Sequence, residues 1–213
     1  MIDHVDSEEA KERELERDFD DSDNETDEMS AQQSTSKSGG STRPFRRIDI
    51  TGEAYTTYRA VLCYLQTGHI TFAPLRSNFR FLLDPISSRR QAIETLHFDP
   101  THPVPASPKS VYRLAGFLLL PDLAALALAS LKSQLTTSNI AYELHGDVAA
   151  VHDEVAEMEL DFATSNWKKA GKSAAMQQVR KIAKGEMVGW AGMSSSENSA
   201  EMSIRLAERL SER

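Results

Sequence analysis

The segment from His97 to His102 brings together the residue types that most resemble a metal site. Two histidines and Asp99 stand within the six residues HFDPTH. Imidazole nitrogens and carboxylate oxygens both bind zinc, but a protein site uses at least three ligands in a fixed arrangement. No further ligand stands nearby, and the surrounding prolines indicate a loop. We therefore predict that this segment binds no metal.

A second group of polar residues has the types needed for acid–base chemistry. Its members are His145, Asp147, His152, Asp153 and Glu154. They are spread along a helical run, and no serine or cysteine nucleophile motif stands beside them. Charge patterns of this kind usually form the solvated face of a helix. The sequence therefore predicts no catalytic residue here.

The remaining candidates for chemistry are a thiol and a phosphate loop. Cys63 is the only cysteine and has apolar neighbours, whereas a reactive thiol needs a cationic, exposed setting. We predict that it is a small core side chain. The AGKS sequence at Ala170–Ser173 lacks the earlier glycine of a P-loop and follows a helix rather than a strand. The sequence thus predicts no cofactor and no enzyme.

Charge divides the chain into an acidic beginning and a nearly neutral remainder. Residues 1–28 hold fourteen acidic and three basic residues, a net charge of −11, whereas the whole chain carries −8. The remainder is therefore near +3, too little for the basic footprint of a nucleic-acid-binding protein. Residues 1–45 are acidic and then serine-rich, and we predict that this segment is disordered.

Hydropathy and cysteine content indicate in which cellular compartment the protein resides. The chain has no run of about 18 apolar residues, which predicts no membrane span. Its first residues lack the apolar core of a signal peptide. A single cysteine excludes an internal disulfide and suits a reducing compartment. We predict a cytoplasmic or nuclear protein.

The first ordered elements are expected from residue 46 onward. The alternation in RRIDI, residues 46–50, and the apolar HITF, residues 69–72, predict two short strands. Between them, helical spacing predicts a helix that Thr51 caps and Gly68 ends. This spacing predicts that Tyr58, Leu62 and Leu65 lie in the core.

The next elements are marked by proline. Six prolines punctuate residues 73–108, which predicts an irregular insertion with one short helix near residues 87–96. Ser107 is expected to cap a helix that starts at Pro108. Pro121 should break that helix and start the next one. Helical spacing assigns four more residues to the core, namely Leu114, Leu123, Leu126 and Leu131.

Two blocks of sequence resemble the BTB/POZ family, and their amino-acid sequence is most similar to that of family members from mushroom-forming (basidiomycete) fungi. Ile50–Ser77 is similar to the middle of that domain, including its Tyr-x-x-Thr-Gly turn at Tyr64–Gly68, where Gln66 replaces a tyrosine. Ser107–Leu135 resembles the last helical hairpin of the family, although Gly116–Leu118 replaces its polar turn. The N-terminal half of the domain has no counterpart before residue 46.

The resemblance implies an α+β fold, mostly α. A partial BTB/POZ domain with a small sheet and packed helices would span residues 46–135, with the proline-rich insertion at 73–108. A helical extension would follow at 136–185, and then a flexible tail at 186–213 that could hold a short helix. Because half the domain lacks a counterpart, we expect a truncated product with uncovered apolar faces.

The resemblance also implies function. The family consists of protein–protein interaction modules that form homodimers, and many members are adaptors for cullin-based ubiquitin ligases. Tyr142, Leu144 and His145 lie in the extension that contributes to cullin binding, although their spacing equally fits core packing. The expected partners are proteins: a second copy of the chain and a cullin. An assembly scaffold without a ligase link and a non-functional remnant stay open as alternatives.

Overall fold

The computed structural model describes Asp27 and residues 54–97, 99, 101–190 and 192–212. Apart from one 3₁₀ turn at Arg76–Asn78, the regular elements of these residues are α-helices. In chain order they are α1 Tyr55–Thr67, α2 Pro85–Leu96, α3 Pro108–Phe117, α4 Pro121–Ser133, α5 Ile140–Leu144, α6 Asp147–Val151, α7 Asp153–Ser165, α8 Trp167–Ala170, α9 Ala174–Ala183 and α10 Ser196–Ser211.

The ends of the first helices follow local signals. Gly68 ends α1 in the left-handed conformation, with φ 71°, and its N–H donates to the Tyr64 carbonyl. Ser107 caps α3 by accepting from the Ser110 N–H, and Pro108 occupies the first turn. Pro121 likewise begins α4 after the break at Leu120. These predictions are confirmed, whereas the predicted cap Thr51 lies outside the described residues.

The prediction of an α+β fold is wrong, because the described residues contain no strand. Residues 69–72 make a single parallel bridge between Phe72 and Ala106. The next ladder bond past the bridge would need an N–H from residue 108, which is a proline at the start of α3, so the ladder ends there. The small sheet of a BTB/POZ domain is thus missing from the described part of the chain. The other predicted strand, residues 46–50, lies outside it.

Two large apolar clusters and a small one around Val148 and Val155 form the interior of the described residues. The first lies among α1, α3 and α4, with Ala60, Val61, Val111, Leu114, Leu123 and Ala127 at its centre. The second lies among α5, α7, α9 and α10, around Ile140, Leu144, Leu160, Ala163, Met176 and Leu206. α4 also packs against α7, which joins the two clusters.

Four of the predicted core residues lie in the interior. Leu114, Leu123 and Leu131 are almost completely buried, and Tyr58 is partly buried against the first cluster. The other three, Leu62, Leu65 and Leu126, are each about half exposed, so the core prediction is wrong for them. Helical spacing identifies an apolar face but does not establish that the fold covers it.

The C-terminal residues form a longer element than the sequence indicated. The segment expected to be a flexible tail contains α10, which has 16 residues and begins at the cap Ser195. Its inner face buries Ser199, Met202 and Leu206 against the second cluster. α10 is therefore part of the packed structure.

Candidate functional site

Helix α1 presents an apolar stripe to solvent. Tyr55, Tyr58, Leu62 and Leu65 recur at helical spacing and share one face, and we call these four residues the α1 stripe. Tyr55 is 68% exposed, Leu62 54% and Leu65 55%, whereas Tyr58 is partly buried. Three of the four side chains of the stripe therefore lie outward, and Tyr58 packs against the first cluster.

The opposite face of α1 is buried and consists of small side chains. Thr56, Thr57, Ala60 and Val61 are at most 5% exposed, and α1 packs against α3. Small residues let two helix backbones approach closely, whereas the tyrosines and leucines of the stripe would hold them apart. The choice of face therefore depends on α3 and not on the hydrophobicity of α1 alone.

A second exposed apolar surface lies at the turn between α3 and α4. Phe117 is 61% exposed and Leu119 is 85% exposed, and we call Phe117–Leu119 the hairpin tip. Leu119 has φ 56°, a left-handed conformation that is rare for a bulky residue. Its N–H donates to the Gly116 carbonyl, and the Leu120 N–H donates to the Ala115 carbonyl. These two hydrogen bonds are typical of a helix C-terminus in which glycine occupies the left-handed position.

These surfaces differ from the scattered apolar residues of ordinary protein surfaces. Single exposed leucines are common, but a row of them along a helix is typical of an interaction site. Covering a fully exposed leucine contributes about 1.5–3 kcal/mol, so a half-exposed one contributes about 1 kcal/mol. The α1 stripe could therefore supply several kcal/mol to binding.

The residues predicted to contact a cullin lie in the core instead. Tyr142 is 7% exposed, and Leu144 and His145 are each 1% exposed. The Tyr142 hydroxyl donates to Gln178 Oε1 at 2.8 Å, and its ring packs edge-on against Trp190 at 4.9 Å between centroids. The prediction that these three residues form a partner interface is therefore wrong, because helices α9 and α10 and the chain between them cover them.

His145 is a buried histidine whose ring is hydrogen-bonded to α10. Nδ1 lies 2.9 Å from the Ser199 hydroxyl oxygen of α10. Burial lowers the pKa of His145 to about 4, because the charged ring would lose its hydration. The ring is therefore neutral at ordinary pH.

A buried charged cluster, which the sequence analysis missed, joins α3, α5 and α7. Lys109 Nζ lies 2.7 Å from Glu143 Oε2, and both side chains are almost fully buried. Glu159 lies beside this pair, and its Oε2 has no hydrogen-bond partner among the described residues. Burial and the Glu143 charge raise the pKa of Glu159 well above its ordinary value, while Lys109 opposes that shift. The three residues are distant in sequence, so no local spacing identifies them.

The histidine segment near residue 100 forms a small local network. His102 Nδ1 lies 2.9 Å from Asp99 Oδ2, and His97 Nε2 lies 2.9 Å from the His102 carbonyl oxygen. The ring of His69 packs edge-on against His102 beside a cavity of about 10 Å³, room for about one water molecule. Within the described ranges, no three histidine, cysteine or acidic side chains are placed to hold a metal ion.

The other candidates for chemistry are dispersed. Cys63 is partly exposed rather than buried, and its Sγ lies 3.6 Å from the Thr67 hydroxyl. Glu154 accepts a hydrogen bond from the Tyr112 hydroxyl at 2.9 Å, and the His152 ring packs on the same tyrosine. In the AGKS segment, Ser173 caps α9. The structure does not assemble a nucleophile and a base from these residues.

No described helix has both the length and the apolar character needed to cross a membrane. No protein-family model, curated protein or solved structure matches the chain.

Proposed function

We propose that this chain is a protein–protein interaction module that binds its partner through the α1 stripe. The observation that carries the proposal is the orientation of α1, which buries threonine, alanine and valine and exposes Tyr55, Leu62 and Leu65. An apolar row along one helix is the feature that grooves and helices of partner proteins recognise.

Charge beside the stripe restricts the partner. Arg59 is exposed and lies one helical turn from Tyr55, at the edge of the stripe. A complementary surface would combine an apolar ridge or groove with a carboxylate near Arg59, because charge complementarity fixes the register of an interface.

Two partners are proposed on the basis of the sequence resemblance. The first is a second copy of the chain, which would make it a dimerising adaptor or scaffold. The second is a cullin, which would make it a ubiquitin-ligase adaptor. In either case the contact would use the α1 stripe rather than Tyr142, Leu144 and His145, because those three side chains are buried.

Sedimentation velocity of the full chain tests the proposal, alone and with a cullin N-terminal fragment at tens of micromolar. We expect a complex for the wild type and at least a tenfold weaker one for Leu62→Glu/Leu65→Glu. The matched control is Met187→Glu/Val188→Glu, which adds the same two charges at apolar residues that are 46% and 87% exposed between α9 and α10. Circular dichroism checks that each variant remains helical.

The possible outcomes of this experiment distinguish the two proposed partners. Self-association without cullin binding favours the scaffold, and cullin binding favours the ligase adaptor. Equal binding by the wild type and the double variant contradicts the α1 stripe as the contact surface.

A further inference from the structure

Helix α10 is attached to the rest of the protein by three kinds of contact. Met202 and Leu206 pack into the second apolar cluster. Arg205 and Arg209 pair with carboxylates on the outer face of α7, including Glu157, which lies 2.7 Å from Arg205. The third contact is with His145 of the chain segment just after α5.

His145 holds α10 at two points. Its carbonyl oxygen accepts a hydrogen bond from the Ser194 N–H at 2.9 Å, immediately before α10 begins. Its ring meets the Ser199 hydroxyl in the first turn of α10, also at 2.9 Å. Because the ring is 1% exposed, α10 itself closes His145 off from water.

The charged groups around His145 are engaged elsewhere. On α7, Asp153 and Asp161 face the arginines of α10 with Glu157, and Glu159 lies with Glu143 of α5 beside Lys109. Among the described residues, the His145 ring forms no ion pair with any of them. A protonated ring would therefore be a buried charge with no compensating carboxylate.

The remaining neighbours do not change this conclusion. α6 carries Asp147 in its first turn, α9 carries Arg180 and Lys181 in its last turn, and α10 carries Glu197 in its first turn. The pKa of His145 reflects burial first and the hydrogen bond with Ser199 second, and no charged group contributes to the shift. Protonation is thus opposed for as long as α10 excludes water from the ring.

We propose that α10 is a reversible latch, which protonation of His145 releases from the face formed by α5, α6 and α7. Release lets water reach the imidazolium, which removes the cost of the buried charge. It also uncovers the apolar surface that Met202 and Leu206 cover. The rest of the fold, including the cluster around α3 and α4, stays folded.

The size of the effect follows from proton linkage. The ring binds a proton with a pKa of about 4 when α10 is docked and near the ordinary 6.5 when α10 is released. A docked pKa below the released one means that docking is strongest above pH 6.5 and weakens as the pH falls toward 4. The docking equilibrium should fall about tenfold per pH unit across this window.

Hydrogen exchange of the full chain, measured by mass spectrometry between pH 7.5 and 4.5, tests the latch. Exchange rates are corrected for the intrinsic pH dependence of amide exchange. We expect the protection of α10 to fall about tenfold per pH unit below 6.5, while the protection of α4 stays unchanged. Parallel loss in α10 and α4 would indicate global unfolding and would overturn the proposal, as would constant protection of α10.

Three variants test whether His145 or the carboxylates of α7 cause the pH dependence of α10 protection. His145→Gln keeps a hydrogen-bonding side chain but cannot titrate, so the pH dependence of α10 should disappear. Ser199→Ala loosens α10 but keeps the histidine, so the dependence should remain, and it serves if His145→Gln fails to fold. Arg205→Gln/Arg209→Gln removes the ion pairs with α7. If that variant alone lost the pH dependence, the α7 carboxylates would be the sensor and the proposal would be wrong.

Discussion

The carboxylate of Asp27 caps α1 at Thr56, 29 residues later in the chain. One oxygen, Oδ1, accepts the Thr56 N–H at 2.9 Å and the Thr56 hydroxyl at 2.6 Å. The other, Oδ2, accepts the Tyr55 N–H. The cap satisfies N–H groups that have no partner within the helix, and its charge is favoured at a helix N-terminus. It also ties a residue of the acidic segment to the helix that carries the α1 stripe.

Removing this cap should destabilise the protein. We expect Asp27→Ala to lower the free energy of unfolding by about 1 kcal/mol, the usual effect of losing an N-cap side chain. Urea unfolding followed by circular dichroism measures it. Asp23→Ala removes the same charge from the acidic segment and is the matched control. If both variants lost the same stability, general charge and not the cap would be responsible.

The buried carboxyl group of Glu159 should make stability depend on pH. Because its pKa is raised in the folded state, its contribution is full below the ordinary value of 4.5 and is lost as the pH rises through the folded-state pKa. Replacement by glutamine keeps the shape and removes the titration. We therefore expect Glu159→Gln to be more stable than the wild type at pH 8, with the difference shrinking toward pH 5.

Urea unfolding at a series of pH values measures this difference. Glu157→Gln, on the outer face of the same helix, is the control and should not reproduce the trend. A constant difference between Glu159→Gln and the wild type from pH 5 to 8 would show that Glu159 is already charged in the folded state at pH 5, so that its pKa is not raised.

Neutralising Lys109 of the buried ion pair should destabilise the protein, whereas neutralising Glu159 should stabilise it. Lys109→Met leaves the Glu143 carboxylate buried without its ammonium partner, which typically costs about 3–5 kcal/mol. The double variant Lys109→Met/Glu143→Gln removes both charges and should recover much of that loss. Thermal unfolding of the two variants provides the comparison. A double variant less stable than Lys109→Met would mean that the pair does not act as a unit.

The hairpin tip offers a test in which stability and binding move in opposite directions. Leu119→Gly relieves the left-handed backbone and should raise stability by about 0.5–1 kcal/mol. It also removes a side chain that is 85% exposed. If the tip contributes to the interface, binding weakens although the protein becomes more stable.

The neighbouring residue is the control for this change. Leu118 has φ −84°, so glycine relieves nothing there, and Leu118→Gly should not raise the melting temperature. Differential scanning calorimetry gives the stabilities, and sedimentation velocity gives the binding. If Leu119→Gly lost stability, the strain at Leu119 would be smaller than the entropy cost of glycine.

Helix ends could be predicted from the sequence because their signals are local. Ser107, Pro108 and Pro121 act within one turn of the chain, and Gly68 needs only its own backbone freedom. The strand predicted at residues 69–72 has no such local signal, and the strand predicted at residues 46–50 lies outside the described residues. A strand needs a partner, and the only pairing described at residue 72 is a single bridge.

The candidate surface and the charged cluster could not be predicted, because both depend on long-range contacts. The spacing of the α1 stripe is correct for a core-facing helix, and only packing against α3 reveals that the other face is buried. Lys109, Glu143 and Glu159 meet through three helices, and no pattern in the sequence brings them together. The burial of Tyr142 and His145 likewise requires α9 and α10 to be in place.

The two prolines beside the Phe72–Ala106 bridge have a consequence for self-association. An extended segment with free N–H groups can recruit a strand from another molecule and begin aggregation. Pro74 and Pro105 each remove one donor next to the bridge, so an incoming strand would find an interrupted edge. Pairing with the backbone of a second molecule is therefore disfavoured next to this bridge.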